Sequence, residues 1–443
     1  MQQDSNQDIQ NVINIKKNVE NKIFLNEQKA EKKTKIQKNL FNYSIVHQNS
    51  INIFGIQKSQ SFKLSSTKFQ ILKKIKTYSI RKILDFSIYS SKDEFEKDHL
   101  FFFSKIKPKG LRNLGGCCYM NATLQCFYHI REFSNFFMKN KKEIIIKDGL
   151  LTTGLLDVIE GLSRKDSFSC YSPKKFKNNL IEVDDVFEGS EGKDSGDLVQ
   201  TILTVCQDEL GGEPELPDFS IDAKDECALF LDLYYKNSQV NTIIMELFNF
   251  YLRIRSRCFG CGTVFYNILS ENMLMLDLKQ AFILNEKDKD EKLIGQKKCV
   301  SVDECLAYYS FDGAIRDNSF CKYCKKNTSI FSIRSFITLP KYLIMVMSRG
   351  EKENFECDVD FKEDIDLKQS YYKLKCIPHE KNTKYILFAG TILYGSQGYG
   401  HTVAFCKHFD NQFYIFNDST FTKTSFSEIK KQKIYLLFYQ KAS

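Results

Sequence analysis

Hydrophobic and polar positions follow no regular period over the first hundred residues of the chain, and they become ordered only after Gly110. Residues 1–50 are rich in Asn, Gln and Lys, which predicts a disordered or loosely helical segment. Residues 51–104 contain apolar side chains without a clear period, so no fold is predicted for them. We therefore expect an N-terminal extension over residues 1–104 and a folded domain over residues 107–440.

Within the domain, helical periodicity comes first and strand periodicity follows. Apolar residues recur at helical spacing over residues 118–130 and again over residues 198–210, with a glycine-rich loop at 187–197 between them. From Phe250 to the end, short runs of β-branched and aromatic residues alternate with turn residues, which indicates strands. Helices followed by strands predict an α+β fold.

Composition and charge narrow the class of protein. Of the 443 residues, 42% are hydrophobic, which is enough for a sizeable core, and no apolar run approaches the roughly 20 residues that span a bilayer. The N-terminus lacks the basic and then apolar layout of a secretory signal, so we expect an intracellular protein, cytoplasmic or nuclear, without membrane association.

The net charge of +9 is concentrated in the N-terminal extension. Residues 1–100 hold 18 Lys and Arg against 10 Asp and Glu, which places +8 there. A basic tail can contact acidic partners, but a solvated tail is the simpler interpretation. No feature of the main domain predicts nucleic-acid binding.

Fifteen cysteines, all between Cys117 and Cys406, are an odd number in a large chain without a secretory signal, so reduced thiols are expected. Two CxxC pairs stand out, Cys258 with Cys261 and Cys321 with Cys324. Two such pairs can present four thiolates tetrahedrally to zinc if strands return the second pair beside the first. The alternative is four reduced or partly oxidised cysteines in a sheet.

A second cysteine motif has the features of a nucleophile. Gly115 and Gly116 permit a tight turn that brings the backbone close to a substrate. A cysteine then opens a predicted helix, where unpaired N–H groups and the helix dipole favour a thiolate. The alternative is that Cys117 and Cys118 are small apolar residues that fill space at a helix start.

A thiolate nucleophile needs a base, and His401 has the most suggestive surroundings of the six histidines. A glycine-rich loop precedes it, and a predicted hairpin turning at Asp410 and Asn411 brings it near residues 417–420. An amide or carboxylate there would orient the imidazole, and the order Cys, His, Asn or Asp occurs in cysteine proteases. The remaining histidines that we considered are expected to be surface or hydrogen-bonded core residues; they are His129, His379 and His408.

These motifs resemble those of ubiquitin-specific proteases. Residues 110–125 are similar to the family's first box, G-L-x-N-L-G-N-T-C-Y-M-N-S-x-L-Q, which implies that Cys118 rather than Cys117 is the nucleophile and that Asn113 stabilises the oxyanion. Residues 400–407 and 413–418 resemble the last box. They imply that His401 is the base and Asn417 its orienter, with Asp418 as a supporting carboxylate.

The resemblance also implies a fold. It is a papain-like fold with a helical thumb over about 108–235, a β-rich palm, and zinc-ribbon fingers over about 245–335. The charged stretch at 285–298 is then a surface insertion in the fingers. Zinc held by the four CxxC cysteines would be structural, with no role in the chemistry.

The implied activity is hydrolysis of the isopeptide, peptide or thioester bond at the C-terminal glycine of ubiquitin, with ubiquitin and ubiquitinated proteins as partners of a monomeric enzyme. The resemblance assigns substrate contacts to Asp194, Asp197 and Gly400. Five residues depart from the family pattern without removing a catalytic group: Gly116, Cys117, Lys193, Thr402 and Phe413. Two alternatives remain: a catalytically inactive ubiquitin-binding scaffold, and a protease for another ubiquitin-like modifier.

Overall fold

A computed structural model describes residues 106–211, 221–286, 298–311, 315–350, 355–395 and 400–442. The expected N-terminal extension at 1–104 and most of the expected insertion at 285–298 lie outside these residues. The helices are α1 Cys118–Tyr128, α2 Arg131–Lys139, α3 Lys141–Lys147, α4 Leu150–Ser163, α5 Lys174–Val183, α6 Ser195–Gly211, α7 Glu226–Ser238, α8 Ile243–Phe248, α9 Leu278–Glu286, α10 Val302–Phe311 and α11 Phe426–Ile429, with 3₁₀ turns at Asp185–Phe187 and Leu367–Gln369.

Within the described residues, the strands form four sheets. They are β1 Gly110–Leu111, β2 Cys170–Tyr171, β3 Phe250–Cys258, β4 Val264–Glu271, β5 Leu274–Asp277, β6 Cys299–Ser301, β7 Ile315–Cys321, β8 Lys326–Phe336, β9 Tyr342–Ser348, β10 Asp358–Asp360, β11 Asp364–Asp366, β12 Lys384–Tyr394, β13 His401–Lys407, β14 Phe413–Asn417, β15 Thr420–Thr424 and β16 Ile434–Lys441. The largest sheet has the order β15-β14-β13-β12-β16-β9-β5, with β11 added beside β12. A second sheet has the order β4-β3-β8-β7, and the pairs β1-β2 and β10-β6 stand apart.

Helix α1 forms part of a buried hydrophobic core. Every one of its residues is buried, and it packs against β13, β12 and α6. The ring of Phe127 contacts Phe133, Phe248 and Phe438, so aromatic side chains from two helices and β16 close around it. A helix that is buried on all sides is held rigidly, which fixes the position of its first residue, Cys118.

The predicted hairpin forms between β13 and β14. Lys407 pairs with Phe413 and Ala404 with Phe416, and the turn between them uses Asn411 with φ of 63°. Asparagine tolerates this left-handed conformation better than most residues, which explains its place in the turn. Strand β15 extends the sheet beyond β14, so the hairpin is a pair of internal strands with limited freedom to move.

Several elements differ from the sequence prediction. The helical pattern expected over 118–130 is broken, because α1 ends at Tyr128 and α2 begins at Arg131. The expected run of strands after Phe250 is interrupted by helices α9 and α10, whose apolar residues face the core of the large sheet. Among the described residues, no helix is long and apolar enough to cross a membrane.

Candidate active site

A loop with two left-handed residues leads into α1, the helix that begins at Cys118. Gly115 has φ of 96° and Gly116 φ of 59°, conformations that favour glycine. The side-chain oxygen of Asn113 accepts hydrogen bonds from the N–H groups of Gly115 at 3.0 Å and Cys117 at 3.3 Å. Cys118 follows as the first residue of α1, 7% exposed. Cys118 therefore lies where the helix has unpaired N–H groups and the positive end of its dipole, and both favour a thiolate.

The imidazole of His401 is oriented by an amide oxygen. His401 opens β13, and its Nε2 lies 2.8 Å from Oδ1 of Asn417 at the end of β14. Because an amide oxygen only accepts, Nε2 carries the hydrogen, and Nδ1 of the neutral ring can accept a proton from a thiol. The helix that Cys118 opens packs against the strand that His401 opens. This geometry suits a general base.

Asp418 contacts the loop before the nucleophile rather than the imidazole. Its Oδ2 accepts from Nδ2 of Asn113 at 2.9 Å, and its Oδ1 accepts from Nδ2 of Asn121 at 2.7 Å. Its carbonyl accepts from the N–H of Leu111 at 2.7 Å, and its φ is 49°. The carboxylate therefore ties the end of the hairpin to Asn113, and its role as a supporting carboxylate in catalysis stays a prediction.

Asn121 is a buried polar residue of the first box to which the sequence analysis gave no role. It lies on α1, is 2% exposed, and also donates to the carbonyl of Leu111 at 3.3 Å. The signal for it was a polar amide among the apolar residues of a buried helix, one turn after Cys118. A buried amide needs partners, and Asp418 supplies the stronger one.

The thiol of Cys117 is a hydrogen-bonding group of the loop. It donates to Oδ1 of Asn113 at 3.3 Å and accepts from the N–H of Leu114 at 3.0 Å. Burial raises the pKa of the Cys117 thiol, while the Leu114 N–H and the ammonium of Lys177 act in the opposite direction. A thiol that stays protonated and donates a hydrogen bond helps to hold Asn113 and is a poor nucleophile.

Gly116 is required by close packing as well as by its φ. A Cβ on Gly116 would lie 1.8 Å from the backbone oxygen of Ser190, in the loop before α6. No described atom lies within 4 Å of a Cβ placed on Gly115, apart from its own neighbours in the chain. Gly116, which replaces the family's asparagine, therefore lies where the loop around Ser190 (the 190 loop) contacts the loop before α1.

The structure places the three expected substrate contacts as follows. Oδ1 of Asp194 accepts from the N–H of Gly196 at 2.5 Å and of Asp197 at 3.2 Å, so the carboxylate caps α6. Its Oδ2 accepts from the hydroxyl of Tyr435 at 2.5 Å. Asp197 lies in the first turn of α6, and Gly400 directly precedes His401. The contacts of Asp194 within the chain are structural, and its role at a substrate stays a prediction.

The four CxxC cysteines lie together at one end of the β4-β3-β8-β7 sheet, where β3 ends at Cys258 and β7 ends at Cys321. Their sulfurs all lie within 4.8 Å of one another, with 3.9 Å between Cys258 and Cys324 and between Cys261 and Cys321. A tetrahedral zinc site with Zn–S bonds of ~2.3 Å has sulfurs about 3.8 Å apart, so the cluster fits this metal.

The two cysteine pairs share one backbone design. The N–H of Gly262 donates to the carbonyl of Cys258 at 2.9 Å, and the N–H of Lys325 donates to the carbonyl of Cys321 at 2.7 Å. Both donors are left-handed, with φ of 70° and 54°. We call these two turns, at residues 258–261 and 321–324, the knuckles. The pairing of β3 with β8 brings the knuckles together although they are far apart in the sequence.

The site therefore combines a thiol at a helix N-terminus, an imidazole that bonds to an amide oxygen, and an asparagine in the loop before the thiol, on an α+β fold. Residues 109–439 match the family model described as ubiquitin carboxyl-terminal hydrolase, and the chain belongs to this family. Family membership and the predicted α+β fold are thereby confirmed.

Two relatives show how far the similarity extends. Ubiquitin carboxyl-terminal hydrolase 21 of Rattus norvegicus is 23% identical, over 75% of this chain and 61% of the relative. Ubiquitin carboxyl-terminal hydrolase 3 of Homo sapiens is 23% identical, over 94% of this chain and 84% of the relative. The chain thus spans about three-fifths of the length of the rat relative.

Solved structures show the same fold. The SAGA Ubp8/Sgf11/Sus1/Sgf73 DUB module bound to ubiquitin aldehyde has a chain with a TM-score of 0.55 and 19% identity, covering 77% of this chain and 71% of that chain. A second structure of the module, bound to monoubiquitin, has a TM-score of 0.54 and 18% identity, covering 77% of this chain and 70% of that chain.

Proposed function

We propose that this protein is a deubiquitinating thiol protease that hydrolyses the bond following the C-terminal glycine of ubiquitin. The observation that carries the proposal is the hydrogen bond from His401 to Asn417. His401 begins β13, and β13 packs against α1, the helix that Cys118 begins. Family membership and the ubiquitin bound in the similar solved structures support ubiquitin as the partner.

The first half of the reaction forms a thioester. Nδ1 of His401 takes the proton of the Cys118 thiol, and the sulfur attacks the carbonyl carbon of the terminal glycine. The resulting imidazolium is stabilised by its Nε2 bond to Asn417 and donates its proton to the departing lysine amine. Water then attacks the thioester with His401 as the base, which releases ubiquitin and regenerates the thiol.

The negative charge of each tetrahedral intermediate develops beside the loop before α1. The first N–H groups of a helix have no intrahelical partner, so the N–H of Cys118 can donate to the oxyanion. The amide of Asn113 is the second candidate donor, and its bond to Asp418 fixes its orientation before substrate arrives. Preorganised donors of this kind contribute roughly 10²–10³ in kcat each.

Zinc has no part in these steps. Held by Cys258, Cys261, Cys321 and Cys324, it would supply a structural cross-link between the two knuckles.

The test is reaction of the purified, reduced and zinc-supplemented protein with ubiquitin carrying a C-terminal thiol-reactive group. We expect one covalent adduct, lost in Cys118→Ala, retained in Cys117→Ala and slowed in His401→Ala. Probes built on other ubiquitin-like modifiers run in parallel.

The outcomes separate the competing functions. An adduct only with another modifier would overturn ubiquitin as the substrate. A stable complex with unmodified ubiquitin, together with no adduct in the wild type, would instead establish a non-catalytic ubiquitin-binding protein.

A further inference from the structure

Lys177 of α5 reaches the loop that leads into the nucleophile helix. Its Nζ donates to the carbonyl of Leu114 at 3.1 Å and to the carbonyl of Gly115 at 3.2 Å. The side chain is half-buried, whereas Lys174 and Lys175 on the same helix are exposed. Lys177 belongs to none of the motifs described above and takes no part in the proposed reaction steps.

These two bonds fix the direction of two peptide units. A peptide plane holds its C=O and the following N–H in opposite directions, so anchoring the carbonyl of Leu114 also aims the N–H of Gly115. That N–H donates to Asn113 on the other side of the loop. Anchoring the carbonyl of Gly115 in the same way aims the N–H of Gly116.

The loop needs this support because of its backbone. Two consecutive left-handed glycines have many alternative conformations, and the loop turns at both of them. Inside the turn, Oδ1 of Asn113 gathers two N–H groups. Outside the turn, Lys177 donates hydrogen bonds to two carbonyls, so the loop is held from opposite sides.

Lys177 also brings a positive charge to the loop. Its ammonium acts to lower the pKa of the neighbouring Cys117, although burial outweighs it there. In the proposed reaction, negative charge appears on the Cys118 sulfur and then on the substrate oxygen, and a fixed cation nearby favours both. The two groups to which Lys177 donates are neutral carbonyls.

We infer that Lys177 is a positioning residue of the active site: it holds the loop from Asn113 to Cys118 in the form that receives the oxyanion, and it places a cation beside it. This inference rests on the proposed function. It predicts that Lys177 acts on the rate of the chemical step and has little effect on ubiquitin affinity.

The experiment compares the wild type with Lys177→Met, Lys177→Arg and the matched control Lys175→Met. One arm measures kcat and KM on ubiquitin bearing a fluorogenic C-terminal amide. We expect Lys177→Met to lower kcat by about tenfold, less than the roughly 10²–10³ for a lost oxyanion donor because the donors themselves remain, with KM changed less than about twofold. Lys177→Arg should recover a large part of kcat, since a guanidinium can also donate to two carbonyls.

A second arm needs no ubiquitin. Hydrogen–deuterium exchange followed by mass spectrometry should show faster exchange in the peptide containing residues 113–118 in Lys177→Met and unchanged exchange in Lys175→Met. If the wild type fails to turn over the ubiquitin substrate, the proposed function is wrong and the exchange data alone decide whether Lys177 holds the loop.

Two results would overturn the inference. One is a Lys177→Met variant with wild-type kcat or wild-type exchange in this peptide. The other is a uniform increase in exchange across the protein, which would show that Lys177 supports the whole fold and has no specific role at the loop.

Discussion

The carboxylate of Asp418 accepts a hydrogen bond of 2.9 Å from the amide of Asn113, across more than three hundred residues of sequence. Its neighbour Asn417 bonds to His401. Two adjacent residues at the end of β14 therefore serve different groups, one the imidazole and the other the loop beside the nucleophile. The left-handed backbone of Asp418 separates the directions of the two side chains.

Replacing Asp418 by Ala should lower kcat by about 10- to 100-fold, because Asn113 loses the acceptor that orients its amide. The variant should also lose about 1–3 kcal/mol of stability, since the buried amide of Asn121 is left with a long bond to Leu111. Turnover of a fluorogenic ubiquitin substrate and urea unfolding measure the two effects. Asp410→Ala, at the exposed turn of the same hairpin, should leave kcat unchanged. Equal kcat values for wild type and Asp418→Ala would contradict this role.

Removing one knuckle cysteine should release zinc and loosen the sheet that carries it. We expect purified wild type to contain one zinc per chain, and Cys321→Ser to contain much less, because four-thiolate binding is lost. Metal content follows from inductively coupled plasma mass spectrometry, and thermal unfolding should begin at a lower temperature in the variant. Cys299→Ser removes an exposed cysteine outside the cluster and serves as the control. A wild type that contains no zinc after expression in zinc-supplemented medium would show that the cluster is a thiol site only.

Gly116→Ala should be more damaging than Gly115→Ala. Both substitutions place a side chain at a positive φ, a strain of about 1 kcal/mol, but only the Cβ at residue 116 meets the backbone of Ser190. We expect an additional loss of about 1–3 kcal/mol from this overlap. Chemical unfolding of the two variants gives the comparison. Equal free energies of unfolding would show that the 190 loop moves aside without resistance.

Acidification should weaken the fold through two buried histidines. Nε2 of His129 lies 2.9 Å from Nδ1 of His408, and burial lowers the pKa of both rings. The unfolded chain takes up protons below about pH 6.5, where the folded pair resists them, so the stability present above that pH is lost as the pH falls through and below it.

The expected loss is about 1.4 kcal/mol per pH unit below about 6.5 for each ring that stays neutral in the fold. Urea unfolding at pH 7.5 and 5.5 gives the slope. His408→Gln should lower the stability at pH 7.5 but flatten this dependence, and His379→Gln, which changes an exposed side chain, should leave it unaltered. A wild type that is equally stable at both pH values would contradict the prediction.

The sequence was most informative where function restricts residue types to a short segment. The glycines adjoin Cys118, and the two strands of the hairpin adjoin each other, so patterns predicted the helix after Cys118, the turn at Asp410 and Asn411, and a partner for His401 within residues 417–420. The family resemblance singled out Asn417 as that partner, and the His401–Asn417 hydrogen bond is observed. The four-cysteine cluster was also predictable, because a zinc-binding turn of this kind needs its two cysteines three positions apart.

The contacts of Asp418, Asn121 and Lys177 could not be found in this way. Each contact depends on the packing of elements far apart in the chain. The sequence offers many donors and acceptors of the same type for such a side chain, so it does not show which one is the partner. The helices α9 and α10 were missed for a related reason. Their apolar residues face a sheet whose position is set only by the complete fold, and short apolar runs do not distinguish a strand from a buried helix.

The chain of imidazoles described above does not stop at His408. Nε2 of that ring donates to the carbonyl of Ile106 at 2.9 Å, and Nδ1 of His129 lies 2.7 Å from the carbonyl of Gln125 on α1. The carbonyl of Ile106 is thereby bonded to a ring whose other nitrogen lies beside His129, directly after the last residue of α1. A fragment that begins at residue 107 would lack the carbonyl of Ile106 and leave Nε2 of the buried His408 without its acceptor, so the folded domain should be expressed with Ile106 included.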